Sequence, residues 1–259
     1  MAISPRDNAS PAPFRRRGSD DQKKHYAWGR SVTDRITPGR RLAGLHGPSD
    51  LYTRWILQRV LSSDFTHSVR DSYAFDKIQV AGRRVVNTAC PTMWSLTDSH
   101  CQTIPRRKAK VAVTTLTFYR PDPQMDGKML CFLKDNYTKV YFWVQQSENE
   151  TYFRSLGVSG ICTIGRNPAS FDAVLDNEDY DFIGTRLHGG IRALQKGRRS
   201  LIIGIDNRAA EIGRDTGLPV IDRKDCERVS DWIHGGAPTT IALPHRQIAA
   251  WKAQFTGAA

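Results

Sequence analysis

The sequence has little of what usually places a protein quickly. Its five cysteines, Cys90, Cys101, Cys131, Cys162 and Cys226, are odd in number and widely spaced, with no CxxC pair and no histidine at zinc-ligand spacing. That excludes a disulfide framework or structural zinc and predicts reduced thiols, mostly buried, with Cys131 and Cys162 inside apolar segments. No apolar run approaches the roughly 18 residues a membrane helix needs, and nothing near Met1 has the apolar stretch of a signal peptide. A cytosolic protein without a transmembrane segment is expected. A GxGxxG or Walker loop, a GxSxG elbow and an HExxH motif are also missing. The glycines of Gly157-Val158-Ser159-Gly160 fit none of these, so neither a nucleotide fingerprint nor a metal site is read here.

What is present suits an α/β core. The chain has 259 residues, 39% of them hydrophobic, and 38 basic side chains against 26 acidic ones. Half of the net charge of +12 sits early, because residues 1–41 hold ten basic and four acidic side chains. With no apolar periodicity there, residues 1–48 read as a basic, largely disordered leader. Such a tail can touch polyanions without the folded body being built for nucleic acid, and no specific nucleic-acid partner is expected.

Apolar spacing predicts a helix over 51–63, a strand over 66–69, a helix over 72–80 and a strand over 84–88. The polar, basic run Pro105-Arg106-Arg107-Lys108 then marks a boundary. Strands are expected over 111–117, 140–144, 161–164, 180–183, 200–205 and 220–222, separated by helices over 126–136, 148–156, 170–177, 190–196 and 208–216. Six strands alternating with helices imply right-handed crossovers and a mostly parallel sheet. Further helices over 224–233 and 245–255 carry Trp232 and Trp251 and should dock. The domain reading is a partial first α/β domain over 49–105, a Rossmann-like domain over 106–225, and C-terminal helices over 226–259 packing back toward the first.

The candidate site follows from the strand ends. Asp181-Phe182-Ile183-Gly184-Thr185-Arg186-Leu187-His188-Gly189-Gly190 hands an arginine and a histidine to a helix start, and the next strand exits at Asp206-Asn207-Arg208. Ligands of parallel sheets bind beyond these carboxyl ends, and arginine suits carboxylate or phosphate. His188 is the candidate general acid/base beside Arg186. Gly189-Gly190 would let a ligand approach the backbone. Arg208, Gln145, Arg70 and Asn87, each at another strand end, complete the set, with His67 and His100 of lower rank.

Several blocks in order resemble the polysaccharide pyruvyl transferases over about residues 52–222: Ser68-Val69-Arg70-Asp71-Ser72-Tyr73, Asn87-Thr88-Ala89-Cys90-Pro91-Thr92-Met93-Trp94, residues 140–145, Thr185-Arg186-Leu187-His188-Gly189-Gly190 and Gly204-Ile205-Asp206-Asn207-Arg208. The resemblance implies two Rossmann-like domains facing a cleft, similar to the glycosyltransferase-B architecture, with the first domain truncated. It implies transfer of the pyruvyl group of phosphoenolpyruvate to a hydroxyl pair of a saccharide, in cell-surface or exopolysaccharide synthesis. No cofactor beyond that donor is implied, and the acceptor can be lipid-linked, which would put the protein in the cytoplasm or at the inner face of the membrane. Arg186 and His188 match the family's donor-binding and acid/base positions, Arg70 a first-domain arginine of the same donor pocket, and Arg208 a position where many members carry lysine. A partial family remnant binding anions, or a nucleotide-sugar glycosyltransferase, are the alternatives.

Overall fold

The computed structural model describes residues 48–176 and 179–256; the expected leader, up to residue 47, lies outside the described residues. Along the chain run α1 (Pro48–Val60), β1 (His67–Val69), α2 (Ser72–Gln79), β2 (Val85–Asn87), a 3-10 turn (Pro91–Met93) and α3 (Asp98–Thr103). There follow β3 (Val111–Thr114), α4 (Pro123–Asn136), β4 (Lys139–Trp143), α5 (Ser147–Ser155), β5 (Cys162–Ile164), α6 (Pro168–Leu175) and β6 (Tyr180–Gly184). The chain continues with α7 (Leu187–Gln195), β7 (Ser200–Gly204), α8 (Asn207–Thr216), β8 (Val220–Asp222), α9 (Cys226–His234) and α10 (His245–Ala253).

Local chemistry sets the helix starts. Asp71, Thr97, Asp122, Asn167 and Asp206 each accept a backbone N–H of the first turn of α2, α3, α4, α6 and α8. Pro123 and Pro168 stand where a missing N–H costs nothing, at the first helical position. Gly217, at φ +73°, closes α8 in the left-handed conformation that disfavours side chains. The short α3 was not legible as a helix, because Asp-Ser-His-Cys-Gln-Thr shows no apolar period.

Every pairing in both sheets is parallel. β1 pairs with β2, and the six-stranded sheet runs β5-β4-β3-β6-β7-β8. This is the Rossmann-like order, and its direction reverses between β3 and β6. Side-chain alternation splits the core between the two faces. Val140 and Phe142 join Ile183, Leu201 and Ile203 under α4, α5 and α9. Trp143 and Phe182 face the other way, against Phe171, Leu175 and Ala193. The aromatic run of β4 is therefore core on both faces, with Phe142 stacked on Phe153 at 4.3 Å and Trp143 on Phe171 at 4.0 Å.

The small β1–β2 layer is tied to this sheet. Cys90, Met93, Leu96 and Ile104 share a cluster with Ile191, Leu194 and Ile212 of α7 and α8. Asp215 of α8 accepts the Ser72 N–H at 2.6 Å and the Asn87 amide at 3.1 Å. The last helix also reaches back, as the Trp251 indole donates to the Thr66 carbonyl at 2.9 Å. Residues 48 onward cluster as one compact unit. No helix among the described residues is long and apolar enough to cross a membrane.

Beneath the sheet, Asp181 and Arg199 form a buried ion pair at 3.0 Å. Tyr137 donates to the same carboxylate at 2.7 Å, and Arg199 donates to the Ile233 and Gly235 carbonyls that end α9. Asp181 thus serves the fold, while Arg186, five residues on, emerges at the opposite end of the strand.

Two cysteines depart from the sequence reading. Cys90 and Cys101 are buried, but Cys131 and Cys162 are exposed. Cys131 lies off the α4 face that buries Met129, Leu130 and Leu133, and Cys162 opens β5, which among the described residues is an edge strand with one unpaired flank. A Cβ on Gly190 would lie 2.4 Å from Ile202 Cγ1, whereas one on Gly127 would meet nothing within 4 Å. Gly190→Ala is therefore expected to cost about 1–3 kcal/mol by overpacking. Gly127→Ala, inside α4, should gain up to about 1 kcal/mol of helix propensity. Denaturant unfolding of both variants measures this, and an undiminished stability in Gly190→Ala would contradict the packing.

Candidate functional site

The crevice opens where the sheet reverses, and threonines set its geometry. Beyond β3 the chain keeps close to β6: the Thr185 N–H donates to the Thr115 carbonyl at 2.9 Å, and the Thr117 and Thr185 hydroxyls lie 2.9 Å apart. The approach is tight enough that a Cβ on Gly184 would fall 2.5 Å from Thr115 Oγ1. The same hydroxyl accepts the Arg186 N–H at 3.3 Å. Arg186 is thereby fixed as the N-cap of α7, yet its side chain makes no capping bond. The first-turn N–H groups of α7 have no intrahelical acceptors, and Leu187, His188 and Gly189 line the crevice beside it.

The Arg186 guanidinium is half-buried and incompletely partnered. One Nη donates to Asn149 Oδ1 at 3.3 Å, the group lies 5.4 Å from the Tyr119 ring centre, and Nε has no hydrogen-bond partner. Among the described residues it has no carboxylate within ion-pair distance. Burial pulls its pKa below the ordinary arginine value; Tyr119 offsets part of that, and nearby Arg208 adds to it. A guanidinium in this state, next to a helix N-terminus, is an anion receptor by its electrostatics.

Arg208 is in a different condition. Asp206 receives it through Nε at 3.0 Å and an Nη at 2.6 Å, and that Nη also donates to the Tyr119 hydroxyl at 2.9 Å. Burial raises the Asp206 pKa, but Arg208 and the helix N–H groups outweigh it and hold the carboxylate low. Arg208 therefore brings donors to the crevice with its charge already balanced. His188 stands exposed in the first turn of α7, with Nε2 3.7 Å from Cys90 Sγ.

These side chains line one cavity of about 230 Å³ that includes Tyr119, Gln145, Thr185, Arg186, His188, Gly189, Asp206 and Arg208. Five residues singled out from the sequence thus meet: Arg186, His188, Gly189, Gln145 and Arg208. Arg70 and Asn87 are not among the lining residues. Arg70 donates to Asp71 at 3.1 Å, and Asn87 bonds Asp215 and the Ala89 N–H. The lower-ranked histidines bond carbonyls, His67 that of Ser62 and His100 that of Leu194. The glycine pair also has a packing role beside the expected one. A Cβ on Gly189 would meet the Phe182 ring at 3.1 Å, so both glycines let α7 lie close on the sheet.

Tyr119, Asn149, Asp206 and Cys90 were not singled out as site residues. Asp206 carried a signal, since an aspartate before a helix is a cap that also reaches its own first turn. Asn149 and Cys90 carried none, being 37 and 98 residues from the side chains they touch. Inorganic phosphate should bind in the cavity, and Arg186→Met should weaken it roughly 10- to 100-fold, as for loss of a charge-assisted hydrogen bond. Arg70→Met should leave the affinity within about threefold. Calorimetric titration decides it, and equal losses in the two variants would contradict the geometry.

Comparison with curated proteins finds no match. The family model described as polysaccharide pyruvyl transferase matches residues 42–207, more than half of the chain. The match contains Arg70, Asn87, Gln145, Arg186, His188 and Gly189 and stops one residue before Arg208. With the Rossmann-like sheet and the arginine–histidine cavity at its reversal point, it assigns the chain to the polysaccharide pyruvyl transferase family.

Proposed function

We propose that this protein moves the pyruvyl group of phosphoenolpyruvate onto two hydroxyls of a saccharide, forming a cyclic ketal and releasing inorganic phosphate. The observation that carries this reading is the Arg186 guanidinium, without a carboxylate partner among the described residues, beside the α7 N-terminus and His188 in one cavity. A donor with a carboxylate and a phosphate supplies the missing anion. The cavity, at about 230 Å³, lies below the roughly 300–1,000 Å³ of drug-sized sites, which favours a three-carbon donor over a nucleotide sugar.

The chemistry asks for one proton to be given and two to be removed. The methylene carbon C3 takes up a proton, leaving C2 electron-poor and stabilised by its phosphate oxygen. A sugar hydroxyl adds to C2 and loses its proton, and a second hydroxyl displaces phosphate, which leaves with the remaining proton. In this scheme His188 protonates C3 and then accepts the hydroxyl proton. Arg186 and the α7 N–H groups hold donor oxyanions, and Arg208, Gln145 and Gly189 border them. Asn87, at the end of β2, offers an amide for saccharide hydroxyls in a glycosyltransferase-B-like arrangement, whereas Arg70 stays on Asp71 outside the cavity. The reaction uses no cofactor beyond the donor. A lipid-linked saccharide acceptor in the cytoplasm, or at the inner face of the membrane, fits cell-surface polysaccharide synthesis.

Phosphate release from phosphoenolpyruvate in the presence of saccharide acceptors tests the proposal. Arg186→Ala and His188→Ala should each lose roughly 100-fold or more in kcat/KM, the usual scale for an acid/base group. If both variants match the wild type, the residue roles are wrong. Binding of nucleoside diphosphates with no use of phosphoenolpyruvate would favour a glycosyltransferase instead.

A further inference from the structure

Cys90 does not line the cavity, but it touches the side chain that would do the acid/base work there. Its Sγ lies 3.7 Å from His188 Nε2 and 3.1 Å from Thr92 Oγ1. The thiol is aimed by an unusual turn. Ala89, just before it, has φ +57°, a conformation seen at no other non-glycine among the described residues, and its N–H is held by Asn87 at 3.0 Å. The cysteine then caps the 3-10 turn whose Met93 is buried under α7.

The two buried thiols differ in surroundings. Cys101 is 3.8 Å from the Leu96 carbonyl, and burial together with Asp98 pushes its pKa up. Burial also acts to raise Cys90, but the hydrogen bonds of His188 and Thr92 outweigh it and bring the thiol down to about 7. His188 is the titratable group facing Cys90 from α7, and Thr92 is the polar one from its own turn. Across the cavity His188 shares space with Arg186, Asp206 and Arg208.

We propose that Cys90 is a positioning residue and proton partner of His188, engaging Nε2 so that the proton on Nδ1 is the one delivered to substrate. In the protonated pair Sγ–H donates to Nε2, which fixes the tautomer with Nδ1 protonated; when the thiol ionises, the imidazole proton moves to Nε2 and donates to sulfur, and that bond is the one that lowers the thiol pKa. When Nδ1 gives its proton to the donor's C3, the Sγ proton passes to Nε2 and the electron pair stays on sulfur. This leaves a thiolate beside a neutral imidazole whose Nδ1 lone pair is free. That lone pair takes the proton of the attacking hydroxyl, Nε2 returns its proton to sulfur, and the pair is restored. The thiol thus spares the site a second base without touching substrate. The kinetic part of this inference rests on pyruvyl transfer as proposed above; the thiol titration does not.

The test uses the full chain and its Cys90→Ala, Cys90→Ser and His188→Gln variants. The ultraviolet thiolate absorbance of wild type minus Cys90→Ala should titrate with a midpoint at about 7. In a His188→Gln background the Cys90 midpoint should move up by roughly one pH unit or more, toward a free thiol. With phosphoenolpyruvate, Cys90→Ala should lower kcat roughly 100-fold with KM for the donor changed less than about threefold. Because the working pair is protonated, the wild-type rate should fall as pH rises through about 7. Cys90→Ser keeps a hydroxyl donor that does not ionise in this range, so it should recover part of kcat and lose that alkaline limb. A wild type that turns over while Cys90→Ala matches it overturns this inference alone, as does a thiol midpoint indifferent to His188→Gln. A wild type inert toward phosphoenolpyruvate overturns the transfer reading, and the relay with it.

Discussion

A half-buried guanidinium with no carboxylate among the described residues to balance it sets the character of this site. Arg186 sits where the strand order reverses, at the N-terminus of α7, so two sources of positive potential meet at one point. Removing a charge from water without a countercharge is expensive, and the Asn149 amide oxygen and the Tyr119 side chain compensate in part. The side chain is kept there by backbone geometry. The Gly184–Thr115 approach and the threonine hydroxyls join the end of β6 to the extension of β3, leaving Arg186 little freedom to retreat. An anion that binds stabilises the native state in proportion to its affinity and concentration, so folding and ligand binding are coupled at this residue.

The sheet separates its two charged clusters by strand direction. Asp181, near the start of β6, is neutralised by Arg199 and Tyr137 among the carbonyls that end α9. Arg186, past the end of the same strand, is left without a carboxylate among the described residues. Parallel strands put all carboxyl ends on one side, so the closed ionic network and the open one fall on opposite edges of a single layer. Arg208 occupies the open edge too, but Asp206 has already claimed its charge. Of the arginines at strand ends, Arg186 is the one whose electrostatics ask for a ligand.

How much of this the sequence revealed depended on the range of the contact involved. The order of strands and helices was legible because apolar period is a local signal, although α4 and α7 start three residues earlier than expected, at Pro123 and Leu187, and β3 ends at Thr114; the convergence of Arg186, His188, Gln145 and Arg208 followed from parallel topology. Gly189 and Gly190 have a packing reason that no local pattern carries, since only the packed sheet shows Phe182 and Ile202 where a Cβ would go. Arg70 and Asn87 carry strand-end positions like the others. Their bonds to Asp71 and Asp215 depend on how the β1–β2 layer docks on α8, which no local pattern encodes. Asn149 and Cys90 reach the site through long-range contacts, and Cys131 and Cys162 turned outward because apolar neighbours do not fix which face a residue takes.

The most direct measurement of the central claim is a crystal structure with phosphoenolpyruvate bound. The account expects a donor oxyanion within roughly 2.7–3.1 Å of Arg186 Nε, with another facing the first-turn N–H groups of α7. Donor bound elsewhere, with Arg186 still against Asn149 and Tyr119 alone, would contradict it.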